Sequence, residues 1–199
     1  YIAGNMPAGR RATFNLELCM TELGEQAARQ FFRTESFVSS AQTTRDTGIL
    51  YLKPNAMIDD YVFEPCGYSM NGIDGTGLIT IHVTPEKGFS YASVEISGYK
   101  EDMVDAGNLL MAALQIFKPG KVSVAMSVDD TSADGAARWG TVLTELPEGY
   151  GYEGANCQKL ACGGRVLYYT LSEGAAKPDR PDSPKTVLHH AASFLSMAS

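Results

Sequence analysis

The sequence predicts an α+β fold, an antiparallel β-sheet with helices on one of its faces. Two patterns carry this expectation: several short segments alternate apolar and polar side chains, and two longer ones place apolar residues at helical spacing. Composition bounds it, because 199 residues of which 44% are apolar and 20% charged are enough for one buried core and ordinary for a globular domain.

From Ala12 to Thr21, Ala12, Phe14, Leu16, Leu18 and Met20 share one face and Thr13, Asn15, Glu17, Cys19 and Thr21 the other, which predicts a strand. Gly24 to Arg33 carries Ala27, Ala28, Phe31 and Phe32 at helical spacing without proline, and a polar loop is expected from Thr34 to Asp46. Strand structure resumes near Tyr61. Leu78 to Thr84 sets Ile79, Ile81 and Val83 against Thr80, His82 and Thr84, and Pro85 ends the ladder. Tyr91 to Ile96 repeats the design, with Ala92, Val94 and Ile96 opposite Ser93 and Glu95.

A longer amphipathic helix is predicted from Glu101 to Phe117, with Met103, Gly107, Leu110, Leu114 and Phe117 on one stripe and Glu101, Asp102, Asp105 and Asn108 off it. Lys118-Pro119-Gly120 stops it. Val122 to Val128 and Arg165 to Leu171 read as strands, and Asp129 to Ala137 as a polar loop. Ser172 to Pro184 mixes prolines with charges and reads as a connector, after which the last residues form at most a weak helix. The expected organisation is one folded unit over residues 1–172 and a mobile tail over 173–199.

Alternation brings Asn15, Glu17, Ser69, His82, Ser93 and Glu95 to the face of the sheet away from the helices. Such a face either meets water, as in many antiparallel sheets, or is covered by a second sheet that encloses a polar network.

A net charge of −7 and a pI of about 4.9 exclude the basic stripe that nucleic-acid binding needs, and leave room for a cationic small molecule. No apolar run approaches the ~20 residues that span a bilayer, so no membrane partner is expected. Cys19, Cys66, Cys157 and Cys162 have no CxxC spacing, and Tyr1 to Arg11 lacks a secretory pattern; reduced thiols and a cytoplasmic location are the expectation. The adjacent His189 and His190 lack companion ligands, and no metal is assigned. The chain does not begin with Met and its first strand starts almost at once, from which a fragment or processed chain is expected.

One stretch is more specific than any periodicity. Phe63-Glu64-Pro65-Cys66-Gly67-Tyr68-Ser69-Met70-Asn71-Gly72, then Ile79-Thr80-Ile81-His82-Val83-Thr84-Pro85-Glu86 and Phe89-Ser90-Tyr91-Ala92-Ser93, closely resembles the signature of eukaryotic-type S-adenosylmethionine decarboxylases, nearest to the plant wording. Weaker similarity runs through Leu16-Glu17-Leu18-Cys19-Met20-Thr21 and Phe117-Lys118-Pro119.

The resemblance implies a carboxyl-terminal part of the large chain, supplying one half of a four-layer αββα sandwich. It implies a decarboxylase whose electron sink is a pyruvoyl group, made by self-cleavage at a Glu-Ser-Ser site whose serine lies outside this chain. The product, decarboxylated S-adenosylmethionine, feeds spermidine and spermine synthesis. By position, Phe63 matches the aromatic ring that stacks on adenine and Glu86 the carboxylate that holds the ribose hydroxyls. Ser69 and His82 match the pair that serves self-processing, the histidine as base.

The family's proton-donating cysteine belongs to a Lys-Thr-Cys-Gly-Thr-Thr motif that this sequence does not contain, so Cys66 is not assigned that role and the chain alone is not expected to be active. Its expected partners are therefore S-adenosylmethionine, an amino-terminal portion and a small β chain. Glu17 and Glu95 match two carboxylates of a buried charge network that binds putrescine in some members. Thr13 stands where the putrescine-responsive members have aspartate, so a network that works without putrescine is expected. The rival reading is an inactive regulatory paralogue that activates a decarboxylase partner.

Overall fold

In a computed structural model of the chain, the described residues are 13–100, 104–128, 148–160 and 164–175. Among them one sheet forms from β1 (Thr13–Leu23), β2 (Met57–Val62), β3 (Tyr68–Asp74), β4 (Gly77–Thr84), β5 (Tyr91–Lys100), β6 (Pro119–Val128), β7 (Tyr150–Lys159) and β8 (Arg165–Glu173), in the order β2-β3-β4-β5-β1-β6-β8-β7. All neighbouring pairs are antiparallel. The first strand is central: β2 to β5 return to one side of it as a meander, and β6 docks on its other side.

The position of β1 follows from its side chains. Phe14, Leu16, Leu18 and Met20 are buried, and they join Ile79, Ile81, Val83, Val94, Ile96, Val122 and Val124 in one core. Helices α1 (Glu25–Arg29) and α3 (Ala106–Phe117) contribute Ala28, Leu109, Leu110, Leu114 and Phe117 to the same core, and α2 (Ser40–Asp46) packs against β2, so the helices cover one face, as expected. None of the described helices is long and apolar enough to cross a membrane.

Some boundaries differ from the sequence reading. The first helix is one turn shorter at its end, Glu25–Arg29, because after Gln30 the chain leaves it to pair with the loop before β3. The expected polar loop Thr34–Asp46 contains α2, which has no apolar stripe and is built from caps and polar ties. The Ser39 side chain accepts from Gln42 N, and Gln42 Nε2 donates to Asp46 at 2.6 Å. Buried Thr44 bonds to Asp60 and to the Tyr68 hydroxyl, which pins the helix to β2 and β3.

The long helix begins at Ala106 because Asp105 caps it, accepting from Asn108 N at 2.9 Å. Its buried stripe runs through Ala106, Leu109, Leu110, Ala113, Leu114 and Phe117, while Gly107 is half-exposed. Strand β7 was not foreseen, since Gly151 and Gly154 break its alternation, and β8 continues to Glu173, into the expected connector. Ala12, Glu101 to Met103, Asp129 to Ala137, Cys162, the connector beyond residue 175, and the terminal segment with His189 and His190 lie outside the described residues.

Candidate functional site

Register carries Ser69 and His82 into contact. The β3–β4 hairpin turns through Gly75-Thr76, with Asp74 paired to Gly77 and Gly75 at φ 62, the positive value that a two-residue hairpin asks of glycine. Counting back from that turn pairs Ser69 with His82 directly across the ladder. Their side chains meet at 3.1 Å, Ser69 Oγ to His82 Nδ1, and the histidine tautomer decides which atom donates. His82 is exposed and Ser69 half-exposed, on the face that the helices leave open.

The end of the sheet beyond this pair holds both predicted ligand contacts. Val62 of β2, Tyr68 of β3 and Val83 of β4 are aligned by register, so the chain just past β2 and just past β4 emerges at one edge. Phe63 follows β2, and its ring is 47% exposed, propped edge-on by Tyr61 at 4.9 Å between centroids. Its amide donates to Gly67 O at 2.9 Å, which closes the Phe63–Gly67 loop. Gly67 has φ 111, a conformation side chains rarely adopt.

Glu86 follows β4. Its Oε2 is shielded from solvent and has no hydrogen-bond partner within the described residues. A buried acceptor without a donor is costly, so this oxygen can take one more hydrogen bond. Beside it lies Cys66, whose thiol is pushed up by burial and then by the Glu86 carboxylate, so it stays protonated at neutral pH. Sequence reasoning did not foresee this contact, since nothing in the spacing of positions 66 and 86 signals it.

Glu17 and Glu95 form a second group, nearer the middle of the sheet. They are direct cross-strand partners, both exposed, and they line a shallow hollow of about 380 Å³ with Asn15, Thr80, Ser97 and Ser127. Like charges placed opposite each other destabilise a ladder by themselves. A chain of contacts runs from this pair toward the histidine end: Tyr91 OH donates to Cys19 Sγ at 3.2 Å, and Cys19 Sγ to Glu17 Oε1 at 3.5 Å. Burial pushes the Cys19 thiol up, against the Tyr91 bond that lowers it. Thr80 Oγ1 donates to Asn71 Oδ1 at 3.1 Å on the other side of Glu95. Ser93, predicted on this face, is 3% exposed and sits between His82 on β4 and Cys19 on β1.

The family model for adenosylmethionine decarboxylase matches residues 5–172. Among curated relatives, S-adenosylmethionine decarboxylase proenzyme 2 of Dianthus caryophyllus is 40% identical over 175 residues, which is 88% of this chain and 45% of that protein. The S-adenosylmethionine decarboxylase proenzyme of Oryza sativa subsp. japonica is 40% identical over 178 residues, 87% of this chain and 44% of its own length. The chain thus spans about half the length of the curated relatives it matches. Among solved structures, the Trypanosoma brucei AdoMetDC-delta26 monomer superposes with a TM-score of 0.68 at 23% identity, over 80% of this chain and 65% of that one, and so shares the fold. A match over that many residues, with plant relatives at this identity, settles the lineage: the chain belongs to the adenosylmethionine decarboxylase family.

Proposed function

We propose that this chain is the ligand-binding and self-processing part of a pyruvoyl-dependent S-adenosylmethionine decarboxylase, which makes decarboxylated S-adenosylmethionine for spermidine and spermine synthesis. The observation that carries the proposal is the Ser69–His82 contact at 3.1 Å, on the open face and beside the loops of Phe63 and Glu86.

Each side chain suits its assigned task. The half-exposed Phe63 ring offers a flat apolar surface for adenine. The unpartnered Glu86 Oε2 accepts from a ribose hydroxyl, which supplies the donor this buried oxygen lacks. His82 takes a proton during self-cleavage, with the Ser69 hydroxyl holding its ring nitrogen in place. A pyruvoyl group, derived from a serine outside this chain, supplies the electron-accepting carbonyl when present. A base and a hydroxyl on an accessible face are the donor set that maturation of a serine ester requires, so the residues present fit that group. Cys66 keeps its proton and serves the Glu86 environment rather than the proton transfer.

Glu17 and Glu95 require positive charge between them. A partner sheet that brings lysine or arginine to the open face supplies it, and in this proposal putrescine is not needed. The same sheet covers a row of exposed apolar side chains, Met57, Ile73 and Leu78, which register aligns across β2, β3 and β4. The amino-terminal portion and small β chain of the complete protein are the proposed source of that sheet, giving the four-layer sandwich.

Intact mass spectrometry of the protein at its natural length, under denaturing conditions, tests this. The expected result is a short amino-terminal chain together with a pyruvoyl-blocked large chain, and release of labelled carbon dioxide from carboxyl-labelled S-adenosylmethionine. An uncut protein that releases none, yet stimulates a decarboxylase partner, would replace the proposal with the regulatory-paralogue reading.

A further inference from the structure

Among the described residues, two that are not glycine hold left-handed backbone, Glu22 at φ 58 and Lys118 at φ 44. Lys118 caps α3, where this conformation is common. Glu22 lies within β1, where it is not, and a side chain in that region costs about 1 to 3 kcal/mol unless its surroundings enforce it. Here they do. Lys121 Nζ holds Glu22 Oε1 at 2.9 Å, and Gly120 leaves the space, since a Cβ there would stand 2.6 Å from Glu22 Oε2 and 2.9 Å from its Cβ.

The bend turns two consecutive amides onto one residue. Glu22 N donates to Ser90 O at 3.3 Å and Leu23 N to Ser90 Oγ at 3.0 Å. Ser90 ends the connection between β4 and β5 in which Glu86 sits. Between that connection and α1 lies a cavity of about 740 Å³, bordered by Leu23, Ala28, Phe32, Pro85 and Phe89, so on this side the Glu86 loop is tied at Ser90 rather than packed against α1.

The same segment reaches the other ligand loop. Gly24 N bonds to the end of α3 at Phe117 O and Lys118 O, and beyond α1 the Phe31 carbonyl accepts from Gly67 N at 2.9 Å. Arg33 N donates to Pro65 O at 2.9 Å, and Phe32 bridges to Cys66. One stretch, residues 22–33, therefore grips the Glu86 loop at its start and the Phe63 loop at its end.

We infer that Glu22, Leu23 and Ser90 form a positioning latch that sets Glu86 relative to Phe63, and that the latch determines how strongly the site selects for a ligand's sugar hydroxyls. The inference rests on the proposed roles of Phe63 and Glu86.

The test is calorimetric titration of the natural-length protein with two probes, 5′-methylthioadenosine and its 2′,3′-dideoxy counterpart. The wild-type protein binds the first more tightly. Ser90→Ala removes one hydrogen bond and is expected to shrink the ratio of the two dissociation constants by about three- to tenfold, leaving the dideoxy affinity unchanged, with Ser90→Thr restoring the ratio. Glu22→Gly drops the Lys121 bond but adopts φ 58 without cost and keeps both amides, so it leaves the ratio unchanged. Equal weakening of both probes in Ser90→Ala, or an unchanged ratio in that variant, overturns the latch while leaving the roles of Phe63 and Glu86 standing. A wild-type protein that does not distinguish the probes removes those roles and the latch together.

Discussion

At the scale of single residues, the candidate site pairs Ser69 with His82 and leaves one oxygen, Glu86 Oε2, without a hydrogen-bond partner among the described residues. His82→Ala removes the base and leaves Ser69 without its 3.1 Å partner, so the natural-length protein should accumulate as one uncut chain on a denaturing gel; normal cleavage would exclude His82 from processing. Glu86→Gln keeps the shape but loses the charge-assisted acceptor, a bond worth about 1.5 to 3 kcal/mol. Affinity for an adenosine 5′-thioether should fall roughly ten- to hundredfold, with no change in melting temperature, and an unchanged dissociation constant would sink the assignment. Alternation alone put Ser69 and His82 on one face, and only the family resemblance singled them out as a pair; the contact between them follows from the register of one tight hairpin. The Cys66–Glu86 neighbourhood was not, because it depends on the Phe31–Arg33 stretch pulling the Phe63 loop over, a tertiary effect with no local signature.

At the scale of elements, legibility followed the apolar stripe. β1, β4, β5 and α3 each bury one continuous stripe and were readable from it; α2, held by Ser39, Gln42 and Thr44 rather than by apolar side chains, was not. β7 was hidden by glycines, and its Gly151 sits where a Cβ would lie 2.6 Å from Ala175 O. Gly77, which opens β4 one residue before the predicted strand, shows the same constraint. The Tyr99 ring lies over it, with ring atoms 2.3 to 2.4 Å from where a Cβ would stand, and Lys53 stacks on that ring at 3.9 Å. Gly77→Ala should therefore displace a buried ring and destabilise the chain by about 1 to 3 kcal/mol, measured by urea denaturation. A neutral result would mean that Tyr99 has a second rotamer ready, and that the β4 start is looser than its packing implies.

At the scale of the whole molecule, the two faces of the sheet make opposite demands. The covered face buries Tyr99, Tyr152 and Cys157 in protonated form, and on the open side Cys19 and Tyr91 are half-buried against each other. Burial pushes up Cys19, Cys66 and Cys157 from 9.0, and lifts Tyr91, Tyr99 and Tyr152 from 10.0 to about 12. Groups whose folded pKa is raised contribute fully below the unfolded value and lose that contribution as pH climbs through the folded one. Melting temperature should hold up to about pH 9 and then fall, with the share of tyrosinate absorbance that belongs to the buried phenols withheld until the fold is lost; full tyrosinate absorbance near pH 10 in a chain that is still folded would contradict it. The open face instead sets Glu17 against Glu95, and here the sign of a mutation reports what covers it. In this chain alone, Glu17→Gln removes a like-charge pair and should stabilise by about 0.2 to 1 kcal/mol. In the natural-length protein, where the proposal places cationic side chains over the pair, the same change leaves a buried cation short of its partner and should destabilise. Stabilisation in both would mean that the open face meets water, and the four-layer arrangement would have to be given up.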